Sequence, residues 1–415
     1  MRFPATACVR KPLGQSRKTE TPEACSFSAL PEEFVSTSAE VESASRTRLA
    51  ALAQHDVGAA SLATKVVGLA GETLGRSVLR DGRICFTLRR PRNGGAAVAE
   101  GVSTRYASIV SLGVGLLDAA EQRRVLGGRT ARDLSLGAAA DLGPRPDLGD
   151  LAMAAWAVLE AGGPGGAALA DRLLPTLVAD PLPHTVASAW TLTALTAAGR
   201  TAQATDVARA LVASAGASGL FPHWLRPGQA PRLRRHVGCF ADQVYPIQAL
   251  ARHAHQSGDE VALAAAQRCA DTICTLQGRD GQWWWHYDVR AGTVVEGYPV
   301  YAVHQAGMAP MALLDLQGAG GRADLDAIAR GLHWLGTPTE AAAALVDEQE
   351  RLVWRKVGRR EPVRRAVRAV RSATTALSPH WRIGLLDRAF PPGPVDHESR
   401  PYEAGWALYA WLRSS

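Results

Sequence analysis

From about residue 100 onward, apolar positions fall into two alternating kinds of helix-length segment. The first kind is apolar almost all round: Tyr106–Leu117, Leu148–Ala161, His184–Ala197, Phe240–Ala251, Tyr298–Leu316 and Pro401–Leu412. A helix without a polar face must be covered on every side. The second kind is amphipathic. Ala167–Val178, Ala202–Val212, Val261–Leu276 and Asp324–Leu335 place apolar residues at i, i+3, i+4 and i+7, with Asp, Arg and Gln opposite. Weaker versions of that pattern occur near residues 56–75, 125–140 and 362–378. Gly and Pro separate the segments, as at Gly162-Gly163-Pro164 and Gly199.

Buried helices alternating with half-buried ones are satisfied by two concentric rings. The pattern therefore predicts an all-α chain, an (α/α)6 toroid of inner and outer helices, with an open solenoid of stacked pairs as the alternative. The toroid is expected over residues 101–415. Before it, 46–100 reads as an extension with a helix and half of a small hairpin, because Arg83–Arg89 alone alternates with period two. Residues 1–45 hold four prolines, many Ser and Thr and no apolar run, and read as a disordered tail.

Connections from an inner helix to the next outer one are short. Those from an outer helix to the next inner one are long, at about 215–239, 278–297 and 379–400. In a toroid all the long ones lie on the rim where inner helices begin, and long loops commonly carry function. One rim is thus expected to be the working face.

The loops support that choice. They contain Trp224, Trp283, Trp284, Trp285 and Trp381, five of the chain's eleven tryptophans, together with Asp288. Inner-helix starts add Tyr106, His184, Asp242, Tyr298, Tyr301, His304 and Glu403. Asp242, Asp288, His304 and Glu403 are the candidate catalytic groups, and the Trp, Tyr and His184 side chains the candidate substrate contacts. Aromatic faces beside carboxylates suit sugar rings, with one carboxyl as proton donor and another as base. A His–Tyr pair could instead move a proton beside a uronate, which is lyase or epimerase chemistry.

Charge adds one feature. Nine of the basic residues lie between Arg351 and Arg371 with a single acid, Glu361, so this segment carries +8 and the rest of the chain −1. It reads as a solvated outer helix, or as an attraction for an anionic substrate or membrane surface. Only Trp354 interleaves with it, which argues against nucleic acid. Six cysteines without Cys-x-x-Cys spacing, the lack of a signal-like apolar stretch and the lack of a membrane-length run predict a cytoplasmic chain.

At Gln277-Gly278-Arg279-Asp280-Gly281-Gln282-Trp283 the sequence resembles the Gln-x-x-x-Gly-x-Trp element of terpenoid cyclases and prenyltransferases, which are α/α toroids. The hairpins over residues 100–415 also resemble the six-hairpin glycosidases. The first resemblance implies that Trp283 braces one outer helix against the next. It does not extend to chemistry, because no Asp-x-Asp-Asp occurs. A prenyltransferase-like zinc site would use Cys239 and His304, but Val237 stands where its aspartate belongs. No cofactor, zinc included, is expected. The resulting expectation is a carbohydrate-active enzyme of hydrolase, lyase or epimerase type, acting on an oligosaccharide that carries negative charge. An isoprenoid-handling toroid and a non-catalytic binding scaffold are the alternatives.

Overall fold

The computed structural model describes residues 48–414 except 180, 181, 183, 362 and 364, so the expected N-terminal tail lies outside the described residues. Helices α1 (Arg48–His55) and α2 (Val57–Ser77) precede a hairpin of β1 (Thr87–Arg89) and β2 (Val98–Glu100). Then come α3 (Thr104–Val114), α4 (Ala119–Val125), α5 (Ala131–Ala140), α6 (Leu148–Glu160), α7 (Gly166–Asp171), α8 (Leu174–Ala179), α9 (Thr185–Ala197) and α10 (Thr201–Ser214). The second half begins with β3 (Val237–Cys239), α11 (Ala241–Ser257), α12 (Glu260–Thr275), β4 (His286–Asp288), β5 (Thr293–Glu296) and β6 (Val300–Tyr301). A π turn (His304–Met308) leads into α13 (Ala309–Gly318), followed by α14 (Leu325–Gly336), β7 (Val346–Asp347), β8 (Leu352–Val353) and β9 (Lys356–Arg359). The chain ends with α15 (Ala366–Leu377), α16 (Leu385–Ala389), β10 (Pro392–Asp396), β11 (Glu398–Ser399) and α17 (Pro401–Leu412).

The chain is an α/α toroid. Helices α3, α6, α9, α11, α13 and α17 each pack on the next, and α17 returns to α3, closing the inner ring. Around them, α5, α7, α10, α12, α14 and α2 cover the gaps. The six all-apolar segments became the inner ring because nothing else buries a helix on every side. Trp156, Trp406, Tyr409 and Trp411 fill its interior. Ring closure depends on two glycines. A Cβ on Gly113 would lie 2.2 Å from the carbonyl oxygen of Gly405, and one on Gly405 would lie 2.9 Å from that of Ile109.

Three of the outer helices, α2, α12 and α14, start at aspartate caps. Asp259 accepts from Ala262 N at 2.9 Å and Asp324 from Ala327 N at 2.8 Å. The Gln-x-x-x-Gly-x-Trp element ties α12 to α14: Gln277 Nε2 donates to Ala327 O at 2.8 Å, and Arg330 donates back to Gln277 Oε1 at 2.7 Å. Gly281 has φ +102°, and a Cβ there would meet Arg330 O at 2.1 Å.

Three expectations change. The long loops are not bare: three-stranded sheets β3-β4-β5, β10-β9-β6 and β11-β1-β2 cap the rim where the inner helices begin. Their strands have two to five residues, too short for alternation to register. Segment 362–378 yields α15, which packs on β5 rather than joining the outer ring. Arg351–Arg371 is accordingly not a solvated outer helix but strand β9 and the start of this rim helix. Finally, α13 begins only after the π turn, so Tyr298 and Tyr301 lie ahead of the helix, in and beside β6. Among the described residues no helix is long and apolar enough to cross a membrane.

Candidate functional site

Two polar clusters stand at this rim. The first surrounds Glu403, in the first turn of α17. Its side chain is 9% exposed, with Arg355 Nε 3.4 Å away. Arg355 also lies 3.7 Å from Glu398 and 4.9 Å over the Tyr301 ring. Arg400 donates to Tyr106 Oη at 2.9 Å, and the Tyr106 and Tyr402 rings are 4.7 Å apart. Burial pushes the Glu403 carboxyl up to about 7, against the pull of Arg355 and Arg400. Near neutral pH, then, this acid divides between its protonated and ionised forms.

His304, on the π turn, borders this cluster. Its ring is 4.3 Å from Phe240, 4.9 Å from Tyr301 and parallel to Trp285 at 5.7 Å. Burial pushes it down to about 3, so the imidazole is neutral. Neutral and fully enclosed, it cannot act as a cationic acid. A π turn at such a position is a common feature of functional sites.

The second cluster surrounds Asp242, in the first turn of α11 and fully buried. Cys239 N donates to Asp242 Oδ2 at 2.7 Å, and His223 Nδ1 lies 3.1 Å from both carboxylate oxygens. That hydrogen bond raises the His223 pKa. His184, ahead of α9, has its ring 5.1 Å from that of His223 and 4.1 Å from Trp224. Between the clusters stands Tyr245, whose hydroxyl accepts from Trp406 Nε1 at 2.9 Å.

The basic segment holds the rim together through some of its cations. Arg359 and Arg371 clasp Glu296 at 2.9 and 3.0 Å, and both reach Asp387. Lys356 pairs with Asp396 at 2.5 Å. Arg368, on α15, is half-buried and has no ion-pair or hydrogen-bond partner among the described residues. Burial, with Arg365 and Arg234 nearby, lowers its pKa, and it stands close enough to Tyr301 to feel that hydroxyl.

The structure thus brings Tyr106, Tyr301, His304, Trp285 and Glu403 into one cluster, and His184, Trp224 and Asp242 into the other. Other candidates go elsewhere. Asp288 accepts from Arg290 at 2.9 Å and from the backbone of Arg290 at 3.0 Å, which spends its carboxylate on its own turn. Trp283 is fully buried against Phe240. Trp284 covers Gly278 and Gly297 and packs on Tyr298. Tyr298 donates to Glu340 at 2.7 Å, with Arg359 over its ring. Trp381 is 49% exposed. His304 packs on Phe240 rather than joining Cys239, whereas His223 does approach that cysteine. Sequence reasoning passed over His223 and Arg355, whose partners lie 19 and 48 positions away in other elements.

No family model and no curated relative matches the chain. Among solved structures it is similar to an unsaturated glucuronyl hydrolase specific for heparin, with TM-score 0.55 and 14% identity over 84% of this chain and 96% of that one. A sugar epimerase from a ruminal bacterium gives TM-score 0.55 and 10% identity over 85% and 97%. An unsaturated glucuronyl hydrolase mutant from Streptococcus agalactiae, complexed with dGlcA-GalNAc6S, gives 0.51 and 10% over 84% and 90%. At these identities the likeness shows the fold, the α/α toroid of six-hairpin glycosidase-like proteins.

Proposed function

We propose that this chain is a carbohydrate-active enzyme of hydrolase, lyase or epimerase type, working at the rim where its inner helices begin. The observation that carries the reading is the buried Glu403, its carboxyl pushed up to about 7, set among Tyr106, Tyr301 and Arg355. A carboxylic acid that keeps its proton near pH 7 is a general acid ready for a glycosidic oxygen or an enol. Asp242 with His223 supplies the basic side. Tyr and Trp faces would carry the sugar ring, and the unpaired Arg368 would meet a carboxylate or sulfate on it. Neighbours of this fold include a sugar epimerase and a hydrolase specific for heparin, the second of which agrees with an anionic glycan as substrate. A reducing, cytoplasmic setting suits the free thiols of Cys85, Cys239, Cys269 and Cys274.

One observation favours a non-catalytic binding ring instead. Each central acid also serves its own helix start: Glu403 Oε2 accepts from Arg400 N at 3.4 Å, and Asp242 from Cys239 N. The isoprenoid reading gains nothing, since arginines and acids line this rim. The test is incubation with unsaturated glucuronyl disaccharides and with reducing uronates, followed by proton NMR. Loss of the unsaturated signal indicates hydrolysis, and a new anomeric set indicates epimerisation. Binding without either change supports the scaffold.

Arg368 gives a separable expectation. Arg368→Ala should raise KM for a charged glycan about tenfold, equivalent to roughly 1.4 kcal/mol, and the penalty should shrink as salt is added. Because half-buried Arg368 has no ion-pair or hydrogen-bond partner to lose, Tm should stay within about 2–4 °C, the shift that about 1 kcal/mol makes in a large domain. Steady-state kinetics at two ionic strengths with a melting curve check it. An unchanged KM would remove Arg368 from the site.

A further inference from the structure

We propose that His223, Cys239 and Asp242 form a binding site for a divalent transition-metal ion of the zinc class. An imidazole nitrogen, a sulfur and a carboxylate oxygen from these residues all lie within 4.8 Å of one another. Zinc holds such donors at about 2.0–2.3 Å in a tetrahedron, which sets donor separations of roughly 3.3–3.8 Å. The His223–Asp242 spacing of 3.1 Å, a hydrogen bond without an ion, falls just short of that range. The remaining contacts need shifts of about 1 Å or less to close around an ion.

The positions are built by the backbone. His223 N donates to Val237 O at 3.3 Å, and Thr185 N donates to His223 O at 3.1 Å, so the histidine is held from both sides. Gly238 makes the approach possible, since a Cβ there would lie 2.2 Å from Phe221 O. Cys239 ends β3 opposite His286 of β4, and Asp242 follows one turn later on α11. Asp242 is 0% exposed and keeps its carboxylate between His223 and Cys239, so an ion bound here would meet a buried anion.

A second, independent observation lies alongside. His184 Nδ1 is buried without a hydrogen-bond partner, on a ring 5.1 Å from that of His223. Buried polar nitrogens are rarely left unpaired. The His184 ring adjoins the liganding histidine, so a water held by the ion could serve its unpaired nitrogen. Three protein ligands plus an open position is the composition of zinc sites that do chemistry. On binding, the thiol proton and the proton between His223 and Asp242 leave to solvent, so affinity rises with pH.

The site shares two residues with the sugar reading but stands without it, and its test does not use turnover. The full chain, stripped with chelator, is titrated with Co2+ while thiolate-to-cobalt charge transfer is followed in the near ultraviolet. One equivalent should bind with such a band, Zn2+ should displace it, and Cys239→Ser should abolish it while Cys85→Ser retains it. His223→Ala, at a side chain 43% exposed, should weaken Co2+ binding by at least about tenfold, a loss seen even for residues behind the ligands. That variant decides the matter if far-ultraviolet circular dichroism shows Cys239→Ser unfolded. No band in the wild-type chain, a band that survives Cys239→Ser, or unchanged affinity in His223→Ala overturns the proposal.

Discussion

Glu403→Gln is expected to lower glycan turnover by about 10²–10⁴-fold, the usual worth of a general acid, while making the folded chain more heat-resistant above pH 7. The two effects share one cause. In the folded chain the carboxyl titrates at about 7 against 4.5 when free. The folded state therefore binds more protons than the unfolded one. The stability this gives is fully present below pH 4.5 and disappears as pH rises through about 7. Ionised Glu403 costs the fold on the order of 3 kcal/mol, at 1.36 kcal/mol per pKa unit. Glutamine fills the same space without a charge to bury, and Arg355 keeps Glu398. Melting curves at pH 5 and pH 8 should thus converge for the variant and separate for the parent. The fall in turnover as pH rises through about 7 should vanish with the carboxyl. A variant that keeps full turnover would leave Glu403 as a helix cap and nothing more.

The second large effect concerns ring closure rather than chemistry. Gly113→Ala should cost about 3 kcal/mol, at the upper end for overpacking, although alanine suits a helix better than glycine by about 1 kcal/mol. The reason is the 2.2 Å approach to the Gly405 carbonyl, a main-chain atom that cannot rotate away. Helices α3 and α17 would have to separate, and they are the first and last staves of the barrel. Tm should fall by about 5–10 °C, scaling from the shift per kcal/mol in large domains. Alanine at Gly137, where nothing lies within 4 Å of the added carbon, should leave Tm unchanged or raise it. Equal behaviour of the two variants in a melting experiment would refute the close approach.

How much of this was legible depends on range. Helix faces repeat every few residues, so Leu148–Ala161 and Pro401–Leu412 announced inner helices from composition alone. Val261–Leu276 and Asp324–Leu335 marked outer helices in the same local way. The rim obeys no such period. Strand β6 has two residues, and β9 is four residues within a basic stretch that charge alone presented as solvated. Three consecutive tryptophans take three courses: Trp283 into the core, Trp284 over two glycines, Trp285 beside His304. Local sequence cannot separate them, since each is an aromatic residue in a loop. Pairs such as Arg355 with Glu403 or His223 with Asp242 exist only once the ring brings distant loops together. Asp288 misled for the opposite reason, because a carboxylate beside tryptophans looks catalytic until Arg290, two positions on, accounts for it.

The claim on which the rest depends is that ligand meets this protein at the rim holding Glu403 and Asp242. Hydrogen exchange read by mass spectrometry, with and without a saturating unsaturated glucuronyl disaccharide, addresses it directly. Protection should gather in residues 221–225, 284–287, 298–304 and 398–403, and spare the opposite end around Glu160, Arg252 and Arg413. Protection centred on that opposite end, or none at any concentration, would contradict the account.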